Sequence, residues 1–195
     1  MPAQVRSKAT VEAILIAAAQ ILEREGPEGA TTNAIAALAG VSIGSLYQYF
    51  DDREAIIEAL ASRHAEQLQT MLSRALGELM GKPLPEGIAG LMEAIIVVHR
   101  VNPGLDRALL QYGGLSEAGA VDDIEGFVAM MAAAALRLRP ELGLADPERT
   151  ARTLTSAVGG VVRATLRREP ERLDEPAFKT ELVDLVLGYL DRQSK

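Results

Sequence analysis

The chain has 195 residues, of which 48% are apolar and only 4% aromatic. Ala and Leu supply most of the apolar share, and because both favour helices whereas strands prefer β-branched and aromatic residues, the composition favours an all-α fold. No cysteine is present, which excludes disulfides and thiolate metal sites. No apolar run approaches the roughly 18 residues that cross a membrane, and no signal peptide is recognisable, so we expect a soluble, cytoplasmic protein.

Periodic apolar residues predict a first helix from about Ser7 or Thr10 to Glu25. Gly26 and Pro27 end it, because glycine accepts a left-handed cap and proline cannot continue a helix. The apolar positions recur at three- and four-residue steps and therefore share one face, which comprises Val11, Ile14, Leu15, Ala18, Ile21 and Leu22.

Two short helices follow, and a tight turn joins them. The first begins at Thr31-Thr32 and stops at Gly40, a residue that accepts the positive φ angle of such a turn. Ser42 caps the second of these helices. The side chains expected to face the core are Ile35, Leu38, Val41, Leu46 and Phe50.

Helices also account for the rest of the chain, in which no strand candidate is found. Asp51-Asp52 cap a fourth, long helix that runs to about Met80, and Gly81 to Pro85 form a loop. Asp146 and Pro147 predict the start of another helix, because Asp146 can cap it and proline is favoured at the first helical position. The remaining helical segments lie around 88–96, 122–138, 147–168 and 176–191, and a short segment of unassigned structure covers 105–112.

The segment from Thr31 to Phe50 predicts a helix-turn-helix, two short helices joined by a turn that contains Gly40. A plain helical hairpin in a bundle is the alternative. This segment carries no charged residue, however, and it places Tyr47 and Tyr49 on one short helix, which is unusual for a face that only meets solvent. Such a helix can enter the major groove of DNA.

The same segment resembles the TetR family of repressors. The family pattern is Thr-Thr, Ile-Ala, Ala-Gly-Val-Ser, Gly-Ser/Thr-Leu-Tyr, an aromatic residue, Phe, and a basic residue that opens a long helix. Every element occurs here in order, and the resemblance is specific over about residues 8–60. It implies an N-terminal three-helix DNA-binding domain, residues 1–54, and a C-terminal helical domain for effector binding and dimerisation, residues 55–195.

The resemblance also implies the residues that meet DNA. Thr31 or Thr32 would contact phosphate, Tyr47 would face base edges, and Arg53 would grip a phosphate where the family usually has Lys. The full predicted set is Thr31, Thr32, Ser42, Ile43, Gly44, Ser45, Tyr47, Gln48, Tyr49 and Arg53.

The net charge of −7 counts against a DNA-binding protein, because basic side chains usually neutralise phosphates. Up to Phe50 the chain has three basic residues, Arg6, Lys8 and Arg24, against four glutamates. We therefore expect binding to double-stranded operator DNA to rely on neutral donors, helix N-termini and the doubling of contacts in a homodimer.

The resemblance implies that the last two helices form a four-helix dimer interface. Two apolar stripes on the last helix indicate two neighbours, and Gly159-Gly160 in the preceding helix indicates close approach of another helix. The alternative is that all of these residues form intrachain core. The predicted interface comprises Leu154, Val158, Gly159, Val162, Leu182, Val186 and Tyr189.

The resemblance further implies a pocket for a small, largely apolar effector in the C-terminal domain. A core role is the alternative for each candidate, since His, Met and Phe on apolar helix faces are usually core residues. The candidates are His64, Met92, His99, Tyr112, Phe127, Met130 and Met131.

An enzyme is the main alternative from another class. With two histidines, no Gly-rich phosphate loop and no His-Glu-x-x-His spacing, the chain predicts neither catalysis nor a cofactor or metal. We expect a repressor that binds a palindromic operator as a dimer and is released by an effector. The other alternative is a helical dimer that acts through protein partners without specific DNA binding. The sequence identifies neither effector nor operator, and it does not separate repression from activation.

Overall fold

A computed structural model describes residues 2–79, 81–113 and 120–193. Within these ranges the chain forms nine α-helices and two short 3₁₀ turns, without a strand, which confirms the predicted all-α class. None of the described helices combines the length and apolar character that crossing a membrane requires. The helices are α1 (Pro2–Gly29), α2 (Thr32–Ala39), α3 (Ile43–Leu46), α4 (Arg53–Leu79), α5 (Leu84–Val101), α6 (Pro103–Gly113), α7 (Ala120–Arg137), α8 (Pro147–Arg168) and α9 (Pro176–Gln193).

The described residues group into two compact units. The first contains the chain up to His64 together with α6 from Gly104 onward. The second contains the chain from Ala65 to Pro103 and from Ala120 onward. These units are defined by packing. The predicted boundary between the DNA-binding and C-terminal domains, after residue 54, follows from the DNA-binding motif and stays a prediction.

The core of the first unit joins α1, α2, α3, the start of α4 and α6. Leu46, the residue of α3 that faces inward, is completely buried there. Leu38 was expected to face this core but is 46% exposed, because α2 packs through Ile35 and Ala36 and Leu38 lies off that face. The largest buried side chains of this core are Ile14, Leu22, Ile35, Leu46, Ile56 and Ile57.

In the second unit α7 packs along α8, and α5 packs along α9. Phe178 of α9 is completely buried, and the guanidinium of Arg172 lies 5.5 Å from the centre of its ring. At the start of α8 the side chain of Asp146 accepts a hydrogen bond from the Arg149 backbone N–H at 2.9 Å, as the Asp-Pro signal predicted. The core residues include Met92, Ile96, Leu154, Val158, Val162, Leu166, Leu182, Val186 and Leu190.

Two glycines set the direction of the chain in the first unit. Gly26 has φ 71° and interrupts α1, as predicted for its end. Gly40 has φ 69° and ψ 29°, and its N–H is shared between the carbonyls of Ala36 and Ala37. Because this left-handed conformation turns the chain sharply after α2, α3 can cross α2 and insert Leu46 into the core.

Gly40→Ala should lower the free energy of unfolding by about 1–2 kcal/mol, because a Cβ is strained at this positive φ. Gly44→Ala is the matched control: its φ is not positive, and a Cβ there would meet only the Ser42 Oγ at 4.0 Å. Urea unfolding followed by circular dichroism measures both variants. Equal stability of the two variants would contradict the role given to Gly40.

Candidate nucleic-acid interface

Side-chain caps fix both helices of the helix-turn-helix. Thr31 Oγ1 accepts a hydrogen bond from the Ala34 N–H at 3.2 Å, and Ser42 Oγ accepts one from the Ser45 N–H at 3.0 Å. These hydroxyls satisfy N–H groups that a helix start leaves without an intrahelical partner. The two helices therefore begin where the sequence predicted, and their orientation is set by local bonds.

The ten predicted DNA-contacting residues all keep solvent-accessible surface. Tyr47 is 50% exposed, Ile43 39% and Tyr49 36%, although each has a large apolar side chain that folding normally buries. A cluster of exposed tyrosine, isoleucine and serine side chains beside a buried Leu46 is a surface suited to a partner. The other members of the set are Thr31, Thr32, Ser42, Gly44, Ser45, Gln48 and Arg53, and each is exposed or half-buried.

One contact joins the two helices on this exposed side. The Tyr47 hydroxyl lies 3.4 Å from Thr32 Oγ1, at the first residue of α2. Both groups are donor and acceptor, so each keeps the capacity to bond to a phosphate oxygen. Gly44 adds no side chain to this surface and leaves room for close approach of a partner.

Arg53 is the first residue of α4, and its guanidinium is bonded to other groups of the same chain. Its Nη1 donates to the Pro27 carbonyl at 3.4 Å, and its Nη2 lies 3.2 Å from Glu54 Oε1. The neighbouring Asp52 accepts a hydrogen bond from the Ala55 N–H at 2.7 Å and thus caps α4, as the sequence predicted. The carboxylate of Asp52 therefore has a structural role, whereas that of Glu54 forms an ion pair with Arg53.

The predicted interface residues of α8 and α9 lie mostly inside the chain. Five of the seven are at most 9% exposed, because the stripe they form packs against helices of the same unit. Gly159 and Tyr189 are half-buried. A buried side chain offers a partner subunit little surface, and the interface residues stay a prediction. The five buried residues are Leu154, Val158, Val162, Leu182 and Val186.

The predicted pocket residues fall into different surroundings. His64 contacts Asp106 within the first unit, Met92 is 2% exposed in the core of the second unit, and Met130 is 59% exposed. His99, Phe127 and Met131 are half-buried, and the side chain of Tyr112 lies outside the described residues. The pocket accordingly stays a prediction.

The second unit also has an open groove of about 360 Å³ beside α5. Arg100 pairs with Asp174 at 2.8 Å in its wall, so the guanidinium is already neutralised. None of the predicted pocket residues whose side chains the structure describes lines this groove, whose walls are formed by Arg100, Pro103, Pro170, Glu171, Leu173 and Asp174.

Sequence reasoning missed two pairs that stabilise the first unit. Arg63 Nη1 and Nη2 donate to the two carboxylate oxygens of Glu12 at 2.7 and 2.6 Å. Asp106 contacts His64 Nε2. Both pairs join residues more than 40 positions apart, so no local sequence pattern predicts them.

Two family profiles match the chain. Residues 14–60 match the profile described as "Bacterial regulatory proteins, tetR family". Residues 83–190 match the profile described as "Tetracyclin repressor-like, C-terminal domain", which alone covers more than half of the chain.

A curated relative is similar over a shorter stretch. The nucleoid occlusion factor SlmA of Photobacterium profundum is 32% identical over 99 residues, which are 50% of this chain and 50% of that protein. The match thus spans half the length of this relative.

Solved structures share the fold. A transcriptional regulator from Rhodococcus sp. Rha1 superposes with a TM-score of 0.73 at 18% identity, covering 93% of this chain and 96% of that one. SmeT, the repressor of the Stenotrophomonas maltophilia multidrug efflux pump SmeDEF, superposes with a TM-score of 0.64 at 23% identity, covering 91% and 88%. These identities show the fold alone, whereas the two profile matches confirm the predicted family, whose members are regulators and not enzymes. The chain belongs to the TetR family of bacterial regulatory proteins.

Proposed function

We propose that this protein is a transcriptional repressor that binds a palindromic operator in double-stranded DNA as a homodimer and is released by a small, largely apolar effector. It would act in the cytoplasm, where bacterial DNA lies. The observation that carries the proposal is the exposed, uncharged face of the helix-turn-helix, on which Ile43, Tyr47, Gln48 and Tyr49 surround the buried Leu46.

The chemistry of this face fits DNA. Hydroxyls of Thr31, Ser42 and Tyr47 can donate to phosphate oxygens without bringing any charge, and such contacts fix the register of a protein on the duplex. Ile43 and the ring of Tyr47 present apolar surface that suits the thymine methyl group in the major groove. The proposed role of this face is therefore to read a limited set of bases while neutral donors position the protein.

The dimer would form through the outer faces of α8 and α9, beside the buried stripes. Val161 is 36% exposed and Leu185 37%, and a Cβ built on Gly160 or Gly188 would meet none of the described atoms within 4 Å. Small residues let two helix backbones approach closely, which explains glycines that otherwise cost a helix about 1 kcal/mol each. The proposed surface comprises Ala157, Gly160, Val161, Ala164, Leu185 and Gly188.

Effector release requires two arrangements of the dimer. In one, the two helix-turn-helix motifs have the spacing of the operator half-sites, about one helical turn of DNA apart. In the other they do not. An effector that binds the second arrangement more tightly lowers the population of the first and so releases the operator.

Tyr47→Ala should abolish specific binding to the DNA upstream of the gene, because it removes both the ring and the hydroxyl from the exposed face. An electrophoretic mobility shift, with sedimentation to show that the dimer persists, measures the effect. Ile16→Ala is the matched control, since Ile16 is a 45% exposed apolar residue of α1 in the same unit but outside the helix-turn-helix.

Undiminished binding by Tyr47→Ala would overturn the assignment of this face. A parent protein that forms dimers but shifts no upstream fragment would favour the alternative, a helical dimer that acts through protein partners.

Salt should weaken operator binding only gently. If Arg6, Lys8 and Arg53 of both subunits neutralise six phosphates, the slope of log K against log salt is no steeper than about −5.4, because each neutralised phosphate contributes about −0.9. Fluorescence anisotropy between 50 and 300 mM salt, about the usual working range, gives the slope. A slope near −10, about that of a strongly basic repressor, would contradict binding through neutral donors.

Val161→Glu should raise the dimer dissociation constant about tenfold or more, because burying an unpaired carboxylate costs more than about 1.4 kcal/mol. Sedimentation equilibrium measures the constant. Leu138→Glu is the control: Leu138 is 67% exposed at the end of α7, outside the proposed surface. If the two variants dissociate alike, this surface of α8 and α9 does not form the interface.

A further inference from the structure

α8 is basic beside the surface proposed for the dimer. The helix carries five arginines and a single acidic residue, Glu148, which forms an ion pair with Arg137 of α7. Arg167 and Arg168 are exposed and lie three and four residues after Ala164, so they border the proposed dimer surface at the end of α8. Among the described residues neither of these two arginines has a carboxylate as a partner.

α9 has the opposite charge at the same surface. Asp184 and Asp191 are exposed and lie four residues before and three residues after Gly188, so the three residues share one side of the helix. Within the part of the chain that the structure describes, neither aspartate forms an ion pair. Arg192, next to Asp191, is a basic residue at the end of this acidic side.

Other charges of α9 are already paired inside the chain. Glu181 lies 2.7 Å from Nη2 of Arg172, and Nζ of Lys179 lies 3.0 Å from the Glu93 carboxylate on α5. These pairs neutralise charges that neighbouring segments of the same chain can reach. The arginines beside Ala164 and the aspartates beside Gly188 keep their charges available to another molecule.

We propose that these charges make the dimer surface specific for a second copy of this chain. The inference rests on the proposed function, since it concerns the homodimer named there, and it adds which partner that surface accepts. A two-fold dimer repeats every contact reciprocally, so each helix meets the same surroundings in both subunits. α8 against α8 would bring arginines together and α9 against α9 would bring aspartates together, whereas α8 against α9 joins opposite charges twice.

Affinity and specificity would then come from different parts of the surface. Exposed ion pairs add little affinity, because solvent screens them and ordering two side chains costs entropy. Like charges brought together across an interface are considerably more costly. The apolar residues and glycines would therefore hold the dimer together, and the charges would reject a chain that has a similar apolar surface but a different charge pattern.

Exchanging the charges tests the proposal in the full-length protein. The α8 variant is Arg167→Glu/Arg168→Glu, and the α9 variant is Asp184→Lys/Asp191→Lys. Alone, each variant would bring like charges together twice in a homodimer, so its dissociation constant should rise about tenfold or more. Sedimentation equilibrium measures the constants, and circular dichroism shows that both variants are folded.

Mixing the two variants should restore the dimer. In a heterodimer the new glutamates meet the new lysines, and the original arginines meet the original aspartates. Its dissociation constant should return to within about threefold of the parent value, since every contact again joins opposite charges. Native mass spectrometry should then find heterodimers well above the statistical half of all dimers.

A matched control places the same charge changes on the first unit. Arg24→Glu/Arg107→Glu and Glu28→Lys/Glu58→Lys alter exposed residues that form no ion pair among the described residues. Each should dimerise like the parent, and their mixture should contain heterodimers in the statistical share. The proposal is overturned if the α8 and α9 variants behave like these controls.

Salt gives a second measurement that does not require charge reversal. Neutralising all four positions, as Arg167→Gln/Arg168→Gln/Asp184→Asn/Asp191→Asn, leaves the apolar surface intact. The parent dimer should weaken severalfold between about 0.05 and about 1 M salt, whereas this variant should respond much less. An equal response of the two proteins also overturns the proposal.

The oligomeric state of the parent separates this proposal from the proposed function. A parent that stays monomeric overturns the homodimer itself. A parent that dimerises, and that Val161→Glu weakens while the charge variants do not, keeps the proposed function and overturns only the role given to the charges.

Discussion

The turn at Gly40 is the constraint on which the DNA-binding unit depends. With φ at 69°, Gly40 turns the chain sharply at the end of α2, so that α3 packs across α2. Leu46 is then the only inward-facing residue that the four-residue α3 contributes, and it is completely buried. Its neighbours on either side are turned outward as a consequence. One left-handed residue thus decides both what the core contains and what a partner meets.

A surface made in this way has a distinctive electrostatic character. From Thr31 to Phe50 no side chain is charged, and the next guanidinium along the chain, that of Arg53, is shared between the Pro27 carbonyl and Glu54. Affinity for DNA must then come from many neutral contacts. Neutral hydrogen bonds depend on geometry far more than the attraction between opposite charges does. This makes the fixed orientation of α2 and α3, secured by the caps at Thr31 and Ser42, more important here than in a basic protein.

Features encoded by neighbouring residues could be predicted from the sequence. The caps at Ser42, Asp52 and Asp146 and the break at Gly26 each depend on groups within about four positions, and the structure has them as expected. Contacts between distant positions could not be predicted. Periodicity shows which face of α8 is apolar, but it does not tell whether the neighbour is the same chain or a partner. For this reason Val158 and Val162 were expected at the interface, whereas the structure buries both within the chain.

The same limit applies to His64, which was expected in an effector pocket. An imidazole on a largely apolar helix face implies a buried polar partner, but the sequence does not say which one. Asp106, on a different helix, fulfils that requirement. The candidate DNA-contacting residues are nearly contiguous in sequence, whereas the candidate pocket residues come from four separate helices, and both sets stay predictions.

The two-part construction of the first unit limits how evolution and engineering can exchange its parts. Its core is assembled from the start of the chain and from α6, with about forty residues of the other unit between them. A helix-turn-helix segment excised alone lacks Leu105 and Ala108, which pack in its core. A chimera that grafts this DNA specificity onto another regulator must therefore carry α6 as well, or supply a helix of matching shape. The candidate DNA-contacting residues are nearly contiguous in sequence, whereas the core beneath them is built from two separate parts of the chain.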